Sequence, residues 1–212
     1  MMRKLIVLGA GGHAKVLVDA LMAAGIPIHA VLDKDVTRVG HDVLGVPVIG
    51  ADERLSELDP TEFALINGLG TVTVSDARSA LYLRAKSSGF LFQNVVHPSA
   101  VVSAHAQLGE GVQIMAGAVV QAGASIGDNS IVNTGARIDH DCTIAAHVHV
   151  APGATLSADV RIDTLSHVGA GAVVIQGKHV GRRCLIAAGA VVVNDVADAQ
   201  RVAGVPAKVF GK

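Results

Sequence analysis

The sequence predicts two domains in series. Residues 1–94 read as an α/β N-terminal Rossmann-like domain, and residues 95–212 as a left-handed parallel β-helix of hexapeptide repeats followed by a C-terminal tail. Three observations carry this reading. An aliphatic residue recurs every six positions from Val96 to Val192, seventeen times without a miss. Four residues after each aliphatic stands a small or slim side chain, from Ala100 and Ala106 through Cys142 and Cys184 to Val196, with Lys178 the one long exception. Ahead of the repeat, Gly9-Ala10-Gly11-Gly12-His13-Ala14 follows a short apolar run and fits G-x-G-x-x-G/A.

The elements follow in order. Lys4 to Leu8 reads as a buried strand, His13 to Ala24 as a helix, and Ile28 to Leu32 as a second strand ending at Asp33. That is a βαβ unit with glycines at the helix start and an acid about twenty residues on. Glycines let a backbone approach a diphosphate, and the amides of a helix N-terminus donate to it. Asp33 is placed for a ribose hydroxyl or a base. Val46 to Ile49 and Phe63 to Ile66 read as strands, Ala51 to Leu58 and Asp76 to Ser88 as helices, and Phe90 to Val95 as a last strand into the repeat. Four or five parallel strands suit a mononucleotide or nucleotide sugar better than a dinucleotide. Asn67-Gly68-Leu69-Gly70-Thr71 follows a strand end and is a second candidate loop, either a ligand loop or a plain glycine turn.

A period of six is neither the 3.6 of a helix nor the 2 of a half-buried strand, so it marks an internal repeat. Each hexad turns one aliphatic and one small side chain inward, and three hexads close a triangular coil of eighteen residues. Stacked coils pair along their backbones at about 4.8 Å, which makes a prism of roughly 25–30 Å. Its left-handed crossovers break the usual rule for parallel strands, so the hexad signature is specific.

Half of the residues are hydrophobic and only 2% aromatic, which fits a narrow interior of Val, Ile and Ala. A formal charge of −1 argues against an electrostatic nucleic-acid binder. No apolar run reaches the ~18 residues of a membrane span. The apolar stretch Leu5 to Leu8 is too short for a signal sequence, and a cytoplasmic protein is expected. Cys142 and Cys184 both fall in the inward column and are expected as buried, reduced thiols.

Five of the ten histidines fall between His140 and His179. The eighteen-residue coil stacks His149 under His167 and His140 under Ala158. Neither His140 nor His149 takes an inward column, so both are expected to face outward or sit at a corner. An outward imidazole at a seam that excludes water is a candidate general base. Asp139 and Asp141 flank His140 with carboxylates, which orient a ring and stabilise its protonated form. Read from spacing alone, His140 is either that base or an ordinary surface histidine.

The glycine loop, His97-Pro98-Ser99-Ala100, Asn133-Thr134, Asp139-His140-Asp141-Cys142 and the ending Val202-Ala203-Gly204-Val205-Pro206-Ala207-Lys208 together resemble the NeuD/PglD-type bacterial sugar acyltransferases. Members of this left-handed β-helix family acetylate nucleotide-linked 4-amino-4,6-dideoxysugars, and the resemblance covers essentially the whole chain. It implies His140 as general base for the sugar amine, supported by Asp141 where a glutamate is often found, with Asn133 near the sugar. It implies that His149 hydrogen-bonds the thioester region of acetyl-CoA and that the Ala158 amide stabilises the oxyanion. Ala170 and Ala188 match positions whose backbone contacts the pantetheine arm. Gly9, Gly11, Gly12, His13 and Asp33 match the nucleotide-sugar site. Lys208 is in place for a CoA phosphate, or is a solvated tail lysine. A homotrimer with active sites at its seams, acetyl-CoA as co-substrate and no metal are likewise implied. The stretch from Gly68 to Ser75 is longer than the turn of uridine-dependent relatives, which leaves room for a guanosine diphosphate sugar.

Three other readings stay open at this stage. O-acetylation of a sugar such as sialic acid would use the same donor. A γ-carbonic-anhydrase-like metalloenzyme would use the same prism with three histidines on zinc. A non-catalytic nucleotide-sugar binder would hold ligand and release no thiol.

Overall fold

The computed structural model describes residues 3–211; the outer ends of both expected domains, at Met1, Met2 and Lys212, lie outside them. The chain divides into two compact units. One runs to Gly70 and resumes over Ala77–Pro98; the other combines Thr71–Asp76 with the chain from Ser99 onward.

The front unit is a five-stranded sheet: β1 (Lys4–Leu8), β2 (Ala30–Leu32), β3 (Asp42–Val43), β4 (Val46–Gly50) and β5 (Phe63–Asn67), in the order β3-β4-β2-β1-β5. All pairings are parallel except the β3–β4 hairpin, which the sequence reading did not anticipate. Ile6, Val7, Ile66, Val31 and Leu32 are fully buried, as continuous apolar strands of a parallel sheet should be. Helix α1 (Gly12–Ala23) buries Ala14, Leu17, Val18 and Leu21, and α2 is Ala77–Ser87. The helix expected over Ala51–Leu58 is a 3-10 helix at Asp52–Glu57. Only Leu55 in it is buried, so a longer α-helix has no apolar stripe to bury. The strand expected over Phe90–Val95 reduces to a bridge between Leu65 and Phe92 and the pair Val95–Val96.

The second unit is the hexad prism, a left-handed parallel β-helix. Two-residue strands stack into three ladders, each strand ending on a hexad aliphatic. One ladder climbs from Val101–Val102 to Val191–Val192, the next from Gln107–Leu108 to His179–Val180, and the third from Gln113–Ile114 through His149–Val150 and His167–Val168 to Leu185–Ile186. These ladders form the first, second and third faces of the prism. Partners are eighteen residues apart, as in Arg137↔Thr155 and His149↔His167. The last coil is shorter: Leu185 pairs with Arg201, and an antiparallel strand Lys208–Val209 closes the end. From Ile114 to Val192 every aliphatic of the hexad column is buried, while Val96, Val102 and Leu108 at the open end are partly exposed. Both cysteines are free and buried inside, as the inward column requires, and burial pushes the Cys142 thiol up to about 11.

From Leu108 to Ile186, corners turn through a left-handed residue three places after each aliphatic. Glycine fills many of these slots, as at Gly117, Gly123, Gly135 and Gly153, because it adopts positive φ without penalty. Asp141, with φ +60°, is one of the exceptions.

Candidate active site

The glycine loop leaves β1 at the switch point of the sheet, where β2 and β5 flank it on either side. Open α/β sheets bind ligands at this place. Gly9 needs its glycine, with φ +104°. Gly11 and Gly12 do not need theirs for packing: a Cβ at either would meet nothing within 4 Å. No side chain caps α1 at Gly11, and both Gly11 and Gly12 are exposed. His13 follows, half-buried, in the first turn.

Asp33 is buried and its carboxylate is held by backbone. Oδ2 accepts from Ala10 N–H and Oδ1 from Asp35 N–H at 2.8 Å. The acid therefore ties the glycine loop to the end of β2. Arg38 reinforces the tie, donating to Ala10 O at 2.9 Å. Beside them a cavity of about 410 Å³ is lined by Ala10, Asp35, Thr37, Arg38, His41 and Asp42. The sequence reading offered Asp33 alone in this region.

The second candidate loop has a packing role. Gly68 N–H donates to Leu8 O at 2.8 Å, and a Cβ on Gly68 would lie 2.7 Å from that oxygen and 3.0 Å from Ala14 and Val7. Buried Arg78 donates to Asn67 O at 2.8 Å and Leu69 O at 2.6 Å, and Asn67 Nδ2 returns a bond to Arg78 O. Burial lowers the Arg78 pKa to about 9.

On the prism, His140 occupies the corner between the first and second faces. Its Nδ1–H donates to Asp141 Oδ2 at 2.8 Å, and its backbone N–H donates to Asp139 Oδ1 at 2.7 Å. This fixes the tautomer and leaves the Nε2 lone pair as the proton acceptor. The Asp141 hydrogen bond raises the His140 pKa, with the Asp139 charge adding to it. The ring is 59% exposed in one chain. Ala158 lies one coil above, and the neighbouring Asp159 N–H donates to His140 O at 3.1 Å. The half-buried Ala158 N–H has no acceptor among the described residues.

The other carried-over residues gather elsewhere. A cavity of about 450 Å³ lies on the third face and the corner after it, lined by Thr71, Val72, Asn133, His149, His167, Ala170, Ala188 and their neighbours. His149 stands on an outward strand position, yet it is only 7% exposed. Thr71, far away in sequence, covers it: Thr71 Oγ1 lies 2.8 Å from Nδ1. Asn133 Nδ2 lies 3.0 Å from Nε2. Thr134 N–H donates to Asn133 Oδ1, which sets the amide orientation, so the amide NH2 donates to Nε2 and His149 Nδ1–H donates to Thr71. Both ring nitrogens implied for the thioester region thus already have protein partners. Thr71–Asp76 is anchored at its far end by a two-pronged pair of Asp76 with Arg183, at 2.7 and 3.0 Å.

The structure therefore brings Asn133, His149, Ala170 and Ala188 together and sets His140, Asp141 and Ala158 apart from them. Arg78 was missed in sequence, while Thr71 was offered only as the end of the second candidate loop and His167 only as the residue stacked over His149. The eighteen-residue stacking of His149 and His167 was visible, but stacking alone assigns no role. His179 pairs with Asp163 at 2.9 Å on the second face, and His147 sits at the corner before the third. His140, His147 and His179 are thus dispersed over separate corners and faces, while His149 and His167 stack on the third face.

Residues 105–140 and 123–158 match the bacterial transferase hexapeptide (six repeats) model, which makes the prism that of a hexapeptide-repeat transferase. Residues 4–78 match the PglD N-terminal domain. No curated protein sequence matches the chain. Among solved structures, perosamine N-acetyltransferase from Caulobacter crescentus, in complex with CoA and GDP-perosamine, is 40% identical over 100% of this chain and 99% of its own, with a TM-score of 0.92. The acetyltransferase domain of PglB from Neisseria gonorrhoeae, also seen with acetyl coenzyme A, is 41% identical over 99% of this chain and 100% of its own, with a TM-score of 0.91. WeeI from Acinetobacter baumannii, at 22% identity and a TM-score of 0.86, shares the fold. The chain belongs to the NeuD/PglD-type family of left-handed β-helix sugar acyltransferases.

Proposed function

We propose that this protein transfers the acetyl group of acetyl-CoA to the amine of a nucleotide-linked 4-amino-4,6-dideoxysugar, with a GDP-linked, perosamine-type sugar as the favoured acceptor. The observation that carries the chemistry is the His140–Asp141 pair, with Nδ1 tied to the carboxylate and Nε2 left to accept a proton. The likeness to the Caulobacter enzyme, studied with GDP-perosamine and with one histidine replaced by Asn or Ala, supports the acceptor and the base.

The amine nitrogen attacks the thioester carbon, and His140 Nε2 takes the amine proton as the tetrahedral intermediate forms or collapses. The C–S bond breaks, CoA leaves as its thiol, and the acetamide remains on the sugar. Ala158 N–H is the donor for the developing oxyanion. In the front unit, the amides at Gly11 and Gly12 hold the diphosphate, so remote binding energy orients the amine. Asp33 and Arg38 keep that loop in shape. Ala170 and Ala188 offer backbone to the pantetheine arm, and Asn133 supports the site from the groove wall.

One chain does not complete this arrangement. The His140 corner and the groove corner lie at opposite edges of the first face, separated by a hexad, or roughly 15–20 Å at strand rise. A homotrimer, in which the groove of one prism meets the His140 corner of the next, unites them. Such a protein would work in the cytoplasm, where acetyl-CoA and nucleotide sugars are found.

The test is CoA thiol release from acetyl-CoA with UDP-, GDP- and dTDP-linked 4-amino-6-deoxysugars, with free and activated sialic acid as controls. Release with the GDP sugar supports the proposal and identifies the base. Release with sialic acid alone would move the enzyme to O-acetylation.

A further inference from the structure

His167 is the second imidazole of the groove, one coil above His149, with ring centroids 4.9 Å apart and planes at 82°. It is 6% exposed. Unlike His149, it is not tied at both nitrogens: Nδ1 is sealed from solvent and has no hydrogen-bond partner among the described residues. A buried polar atom without a partner is rare and calls for an explanation.

Burial lowers the His167 pKa, so the ring is neutral and carries one N–H. With nothing beside Nδ1 to accept a proton, that hydrogen belongs on Nε2. His167 lines the cavity, and its Nε2 has no protein partner among the described residues. Gly169, Ala170, Ala187 and Ala188 continue the wall with small residues. A wall of small side chains with one neutral N–H suits a slender chain bearing amide carbonyls. It does not suit a phosphate, which would call for a cation.

We propose that His167 is a donor-binding residue that gives its Nε2–H to an amide carbonyl of the pantetheine arm. This rests on the reading that acetyl-CoA occupies the groove. The reacting thioester belongs at the His140 corner, so the group beside His167 is further along the arm. His167 therefore sets affinity for the acyl donor and takes no proton during the reaction.

The experiment compares wild type, His167→Phe and His167→Gln. Phe keeps a ring of similar size without nitrogens, and Gln keeps an N–H donor at similar reach. Steady-state kinetics would be measured against both substrates, with calorimetric titration of CoA and a thermal melt on each variant. His167→Phe should raise KM for acetyl-CoA and Kd for CoA about tenfold, the loss of roughly one hydrogen bond, with kcat and KM for the aminosugar nucleotide within about twofold. His167→Gln should recover most of the loss. Unchanged KM and Kd in His167→Phe would overturn the assignment. Equal losses in both variants would also overturn it, since ring packing would then be the whole role. Absence of thiol release by wild type with every acceptor would sink the reaction itself; CoA titration still tests His167, and equal Kd in wild type and His167→Phe counts against it.

Discussion

Asp141 has its side chain in a left-handed corner slot, and the coil below makes room for it. A Cβ on Gly123 would overlap Asp141 Oδ1. A bare Gly123 leaves the carboxylate its place against His140, so Gly123 is a positioning residue for the proposed base. Gly123→Ala should push the carboxylate off the ring and also introduce strain at φ +75°. Its kinetics should resemble those of Asp141→Asn, with the prism still folded by circular dichroism. The pH profile reads the pair directly. Asp141 raises the His140 pKa by favouring the imidazolium, so kcat/KM falls as pH drops through that value. In Asp141→Asn the acid limb should move to lower pH. The plateau at higher pH should be lower by about tenfold or more, since a weaker base without a fixed tautomer accepts the proton. An acid limb that stays in place would assign it to another group. His140→Asn should reduce kcat by about a hundredfold or more, and His149→Ala by less, because both ring nitrogens of His149 already have protein partners in Asn133 and Thr71.

The elements respond differently to their glycines. Gly11→Ala meets no atom within 4 Å and should leave the melting temperature nearly unchanged, while a methyl among the open amides weakens nucleotide-sugar binding. Gly68→Ala should do the reverse. Its Cβ would press on Leu8 O and Ala14 beneath a loop clamped by Arg78, at about 1–3 kcal/mol of stability. Melting curves and a nucleotide-sugar titration separate the two. This difference also marks how far the sequence could be read. The hexad column was legible because the narrow prism demands the same inward side chain every six residues. The stacking of Ala158 over His140 followed from the eighteen-residue coil. Asp33 and His149 were legible as positions, but the hydrogen bonds that hold them were not. Their partners, Ala10 and Thr71, come from segments 23 and 78 residues away, and no local pattern encodes a tertiary hydrogen bond. The burial of His149 escaped for the same reason, since strand alternation points the ring outward and Thr71 then covers it.

Across the prism, the proposed base and the proposed donor groove sit at opposite edges of one face, so the proposed trimer would form its sites where two chains meet. Closed cyclic assembly joins unlike patches, so each seam of a trimer takes its base from one chain and its groove from the next. Two inactive variants therefore suffice for a test. His140→Ala lacks the base and keeps the groove. Ala188→Trp keeps the base and fills the groove that Ala188 lines. Each alone should release almost no CoA thiol. Dissociated, mixed in equal amounts and reassembled, they place an intact base beside an intact groove at about a quarter of the seams. About a quarter of wild-type activity should return in the mixture, and none when the two are combined without subunit exchange. If base and groove served the same active site from within one chain, no mixing would restore activity. The recovered fraction thus measures directly whether chemistry and donor binding are divided between neighbours.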